Sequence, residues 1–131
     1  MTKEEAMKIA KDGLHVFDER YEEEGEEFFC NFFDALTEEE INVDVDNLSQ
    51  REYEDFTAEI VSSKYSVAQS NSATDDYSEE YFQDPKPLVK VITASQDPLN
   101  PGNLEFSWYW LTMDGRDEIK KIIEKYTKEE A

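Results

Sequence analysis

Between Asp18 and Glu59 the sequence sets 17 carboxylates against two basic residues, Arg20 and Arg51, a net charge of −15 over 42 residues. A stretch so charged folds only where its apolar residues gather on one side, so their spacing decides what the chain can become. Phe28, Phe29, Phe32, Phe33 and Leu36 recur at helical spacing and predict a helix that hides aromatic rings while its acids stay in water. The other 89 residues contribute only −5 to the total of −20, so the charge is segregated and not spread evenly as a solubilising coat would be.

Thr2 and Glu5 form a capping-box pattern, and Ala6, Ile9, Ala10, Leu14, Phe17 and Tyr21 follow at intervals of three or four. This predicts one helix over residues 3–22, weakened modestly by Gly13 and ended at Gly25. The acids after Gly25 enter the next helix, where the macrodipole favours them. Ile41, Val43 and Val45 alternate with polar residues and predict a short, half-exposed strand. Leu48-Ser49-x-x-Glu52-Tyr53 joins a capping box to a hydrophobic staple, so a helix is expected from Gln50 to about Ser62. Ser62 to Val67 is strand-like, and residues 69–87 read as a long loop with a short element near Tyr81. Leu88–Ala94 and Leu104–Thr112 predict an antiparallel hairpin across the turn-rich Asp97–Asn103, with Phe106, Trp108 and Trp110 sharing one face. Ile119, Ile122, Ile123 and Tyr126 mark a last helix.

Helices, then a hairpin, then a helix describe an α+β fold: N-terminal helices and a C-terminal helix packed on one face of a small antiparallel β-sheet. At 131 residues the chain is expected to form one domain, which buries roughly two-thirds of the surface its unfolded form exposes. The eight Phe, seven Tyr and two Trp supply the core. No apolar run approaches the ~20 residues of a membrane span, the charged first residues do not resemble a signal peptide, and Cys30 stands alone. A soluble, cytoplasmic protein is the expectation.

Chemistry-bearing motifs are scarce. His15 and Cys30 are the sole imidazole and thiol, but His15 falls off the apolar stripe and Cys30 lies among phenylalanines, the setting of an inert core cysteine. Zinc needs more nitrogen or sulfur ligands than these two. Asp44-x-Asp46 resembles the opening of an EF-hand loop, yet Leu48, Ser49 and Asp55 fall where an oxygen ligand, a glycine and a glutamate belong. Phosphate-binding glycine loops and hydrolase elbows are absent from the sequence. The sequence therefore assigns no catalytic residue, cofactor or metal. Direct nucleic-acid binding is opposed by the charge, since the C-terminal lysines alternate with glutamates.

What remains is the field of the acids. Glu22, Glu23, Glu24, Glu26, Glu27, Glu38, Glu39, Glu40, Asp44 and Asp46 are the candidate partner-binding residues, placed at helix ends and on a strand edge with no basic residue among them. Such a field complements a basic protein surface or imitates a phosphate array. The expected function is a non-catalytic inhibitor of a basic partner, a nuclease, toxin or other nucleic-acid-handling protein. Immunity, antitoxin or phage anti-defence proteins are the kinds that fit. The alternative is an adaptor or subunit of a complex that uses the aromatic hairpin around Trp108 and Trp110.

Overall fold

The computed structural model describes residues 1–71, 75–96 and 102–127. The chain opens with α1 (Lys3–Asp12), where Thr2 Oγ1 accepts a hydrogen bond from the Glu5 backbone N–H at 3.1 Å. The single helix expected over residues 3–22 is in fact two. Gly13 adopts φ 117°, a region open to glycine and disfavoured once a Cβ is present, and the chain turns there into α2 (Leu14–Glu24). The break at Gly25 falls where expected, and α3 (Glu26–Ala35) begins with Glu26 and Glu27 in its first turn.

Strand β1 (Thr37–Asp44) starts earlier than the alternation of Ile41 to Val45 indicates, so Glu38, Glu39 and Glu40 lie in a strand and not at a helix end. The cause is non-local. The Leu88 backbone N–H donates to the Leu36 carbonyl at 2.9 Å, which draws the chain into the sheet as soon as α3 ends. Helix α4 (Gln50–Ser62) keeps its expected bounds, with Ser49 Oγ accepting from the Glu52 N–H and Glu52 Oε1 from the Ser49 N–H, each at 3.1 Å. Then come β2 (Ser66–Ser70), β3 (Asp75–Tyr77) inside the expected loop, a 3-10 turn at Glu79–Gln83, β4 (Leu88–Gln96), β5 (Leu104–Thr112) and α5 (Arg116–Thr127). The strand-like stretch before Val67 thus begins later than expected, at Ser66. Residues 97–101 of the expected hairpin loop lie outside the described residues.

The sheet order is β1-β4-β5-β2-β3. All its described pairings are antiparallel except that β1 runs parallel to β4, which corrects the purely antiparallel expectation. The physical reason is the length of the connection: α4, β2 and β3 intervene between β1 and β4, and only a crossover of this kind can join parallel neighbours.

Helices cover both faces of the sheet, not one. On the first face α1, α2 and α3 enclose Phe17, Phe28, Phe29, Phe32 and Phe33 over Leu88 and Trp110. Phe17 is fully buried, with ring centroids of Phe32, Tyr77 and Phe82 4.8–5.1 Å away. On the second face α4 and α5 bury Phe56, Ile60 and Ile119 over Val89, Val91, Tyr109 and Leu111. Strand β5 requires this arrangement, because Trp110 points to one side and Tyr109 and Leu111 to the other, and all three must leave water. Each such side chain contributes roughly 1.5–3 kcal/mol on burial. Gly115, before α5, lies against Tyr65: a Cβ there would come within 2.2 Å of the ring, so only glycine admits this close approach.

Candidate functional site

The three N-terminal helices cover only part of the first face. Strands β4 and β5 pair in register as Lys90 with Trp110, Ile92 with Trp108 and Ala94 with Phe106. Across β4 the same rows continue into β1 as Glu40, Asn42 and Asp44. Alternation sets all these side chains on one side, since Ile41 and Val43 between them join the opposite cluster. The row nearest the helices is closed. Trp110 is fully buried, and Lys90, 8% exposed, bonds Asp34 of α3 at 2.7 Å. Asp34 also accepts from Trp110 Nε1 at 3.3 Å, so one carboxylate pins α3 to the sheet. The Lys90 ammonium lies 5.4 Å from the Trp110 ring and 5.9 Å from that of Trp108, a cation–π arrangement.

Beyond that row the face opens. Trp108 is half-buried, Phe106 is 45% exposed and Leu104 is 53% exposed. The rings of Phe106 and Trp108 stack, 12° apart in plane with centroids 6.3 Å apart. This divides the aromatic stripe: Trp110 is core, Trp108 packs half-buried at the edge of the first core, and Phe106 is exposed. It also removes Trp110 from the candidate contact surface.

The ten candidate acids fall into two groups with no hydrogen bond or ion pair between them. Glu22, Glu23, Glu24, Glu26 and Glu27 surround the α2–α3 corner, all exposed, and among the described residues only Glu24 has an ion-pair partner, Arg20 at 2.8 Å. Glu38, Glu39, Glu40, Asp44 and Asp46 follow edge strand β1. In sequence these acids lack a nearby cation, but in space two of them have one. Glu38 meets Lys3 at 2.7 Å, and Glu39 meets Arg116 at 2.6 Å and Lys120 at 3.7 Å. The bond from Arg116 holds the Glu39 carboxyl below the usual carboxylate range, with the charges of Arg116 and Lys120 adding to it. Glu39 thus faces inward toward α5, while Asn42 and Asp44 edge the open rows and Glu40 the row of Lys90, all three exposed. Among the described residues Glu40 and Asp46 have no ion-pair partner. Asp44 accepts the Asp46 backbone N–H at 3.0 Å, so Asp44-x-Asp46 is a turn at the end of β1.

Cys30 is half-buried. Burial pushes its thiol pKa up, and Asp34, Asp75 and Glu26 push it further, the reverse of what activates a nucleophile. His15 is exposed on α2. The described residues contain no cluster of three or more His, Cys, Asp or Glu able to hold a metal ion. A cleft of about 470 Å³ lies on the second face between the start of α4 and the ends of β4 and β5, lined by Ser49, Tyr53, Ser95 and Glu105 among others. None of the described helices is long and apolar enough to cross a membrane.

The residues not singled out from the sequence are Leu104, exposed, and Ile92, half-buried beside Trp108. Their alternation was legible, but the reach of the helices over them was not. Comparison of the chain with protein-family models, with curated proteins and with solved structures returns no match.

Proposed function

We propose that this protein is a non-catalytic acidic binding protein that neutralises a basic protein partner, a nuclease, toxin or other nucleic-acid-handling protein. Immunity, antitoxin or anti-defence roles fit this reading. One observation carries it: all the candidate acids but Glu39 are exposed, on helices, on the edge strand β1 and in the turn after it, and most of them have no cation partner among the described residues. Like charges held this way repel one another and contribute nothing evident to folding, while a basic surface docking on them would relieve that repulsion. The same field would accelerate encounter with such a partner and turn away nucleic acid.

The test is capture of basic nucleic-acid-binding proteins on the immobilised chain at low and physiological salt, followed by assay of the captured protein's own activity. Association should slow as salt rises, because exposed charges are screened beyond ~8–10 Å at physiological ionic strength. Recovery of only neutral or acidic partners, or binding indifferent to salt, would overturn the reading.

The adaptor reading has its own support in the exposed Phe106 and Leu104. It differs in predicting a contact that survives salt.

A further inference from the structure

The open half of the first sheet face is a strip between the helices and the strand ends. From Ile92 to Gln96 it runs four residues along β4, roughly 13 Å at ~3.3 Å per residue. An α-helix with its side chains is about 10–12 Å across, so the strip is one helix wide. Its floor is apolar, formed by Ile92, Ala94, Phe106 and Trp108; on the β1 side Asn42 and Asp44 edge it, and the exposed Glu40 stands one row toward the helices, opposite Lys90. Above it α3 already packs on the same sheet by burying phenylalanines and pinning Lys90 through Asp34. A fourth helix in that layer would continue the same packing.

From this geometry we infer that the strip is a docking groove for one basic amphipathic helix of the protein partner. The helix seats its apolar stripe on Ile92, Phe106 and Trp108 and turns lysines or arginines toward Glu40 and Asp44. The inference rests on the proposed function and names the surface and the shape of partner it requires. A second copy of this chain is disfavoured as occupant by charge: each copy carries −20, and pairing the two faces would bring the Glu40 and Asp44 rows of both into one interface.

The probe is a tryptophan-free Leu/Lys peptide of about 15 residues with leucines at helical spacing. A scrambled peptide of identical composition and charge is the control. The chain has two tryptophans, of which Trp110 is fully buried, so a change in emission on binding reports on Trp108, and Trp108→Phe should abolish it. The amphipathic peptide should bind at least about tenfold more tightly than the scrambled one, a margin of ~1.4 kcal/mol. Phe106→Ser, at an exposed position, should erase that margin, and Glu40→Gln with Asp44→Asn should weaken binding and flatten its salt dependence. Equal binding of both peptides, insensitive to Phe106→Ser, would overturn the groove. If that binding vanished on replacing Glu22, Glu23, Glu24, Glu26 and Glu27 by Gln, the acidic-binding function would stand and its site would move to the α2–α3 corner. A dimer in sedimentation that Phe106→Ser dissolves would replace the helix with a second copy. Failure to bind either peptide, together with failure to capture any basic protein, would overturn both proposals.

Discussion

Trp108 and Trp110 stand two residues apart on one strand face, yet they differ in burial: Trp110 is fully enclosed, and Trp108 sits half-buried at the edge of the same core. Trp110 touches Phe29 and Phe33 in the first core with ring centroids 5.8 and 5.6 Å away, and donates to Asp34. Emptying its site removes those contacts and leaves Asp34 and Lys90 with a changed environment, so Trp110→Ala should destabilise by about 3–5 kcal/mol. Trp108→Ala, at a half-buried position stacked on an exposed ring, should stay within about 0.5–2 kcal/mol. Urea unfolding of the two variants measures both. The reverse order would place the core one row further along the sheet and close the proposed groove.

At the scale of elements, β1 shows how one strand divides its acids between folding and surface. Glu39 faces Arg116, the first residue of α5, where the helix dipole disfavours a cation and a carboxylate opposite it offsets that penalty. Glu40, one residue on, is exposed on the opposite sheet face. Glu39→Gln should therefore lower the melting temperature, and Glu40→Gln should leave it unchanged or raise it. Equal melting temperatures across the two variants would mean the Arg116 contact is idle. The difference between neighbours also explains what could be read from the sequence. Helix α4 was legible from end to end because its cap, staple and stripe are local. The break at Gly13 was not, since a glycine inside a helix costs only about 1 kcal/mol and nothing nearby announces a turn. The parallel pairing of β1 with β4 and the cations opposite Glu38 and Glu39 depend on residues tens of positions away, which periodicity does not encode. The acids of the site were visible singly, and the groove was not, because alternation marks a strand's faces without telling how far helices extend over them.

For the whole molecule, protonation links the buried and half-buried tyrosines to stability. Burial is the first cause that pushes the hydroxyls of Tyr21 and Tyr109 up to about 12, aided at Tyr21 by its hydrogen bond to Asp75 and at Tyr109 by the neighbouring Tyr53. Tyr77 and Tyr81 shift the same way, again mainly through burial. An unfolded tyrosine ionises near ~10, so between about pH 10 and 12 the unfolded chain binds fewer protons than the folded one and stability falls as pH rises. Lys125 reinforces this, because its bond to Glu59 raises its pKa and that stabilisation is likewise lost at alkaline pH. The carboxylates act at the other end. Glu39 is held low by Arg116, and Glu59 by Tyr126 and Lys125, so both stabilise above the ordinary carboxylate range and lose that contribution as pH falls through their folded values. Stability should thus be level from about pH 5 to 8, begin to fall above about 8.5 as the raised Cys30 thiol comes into play, and fall further above about 10 as the tyrosines do. Added salt should raise the plateau, since screening relieves the self-repulsion of a chain carrying −20. Urea midpoints across pH, paired with tyrosinate absorbance, check this. The absorbance should rise in two waves, the second accompanying loss of helical circular dichroism. A single wave near pH 10 with the fold intact would show that Tyr21 and Tyr109 are reached by solvent, and the two-faced core would need to be redrawn.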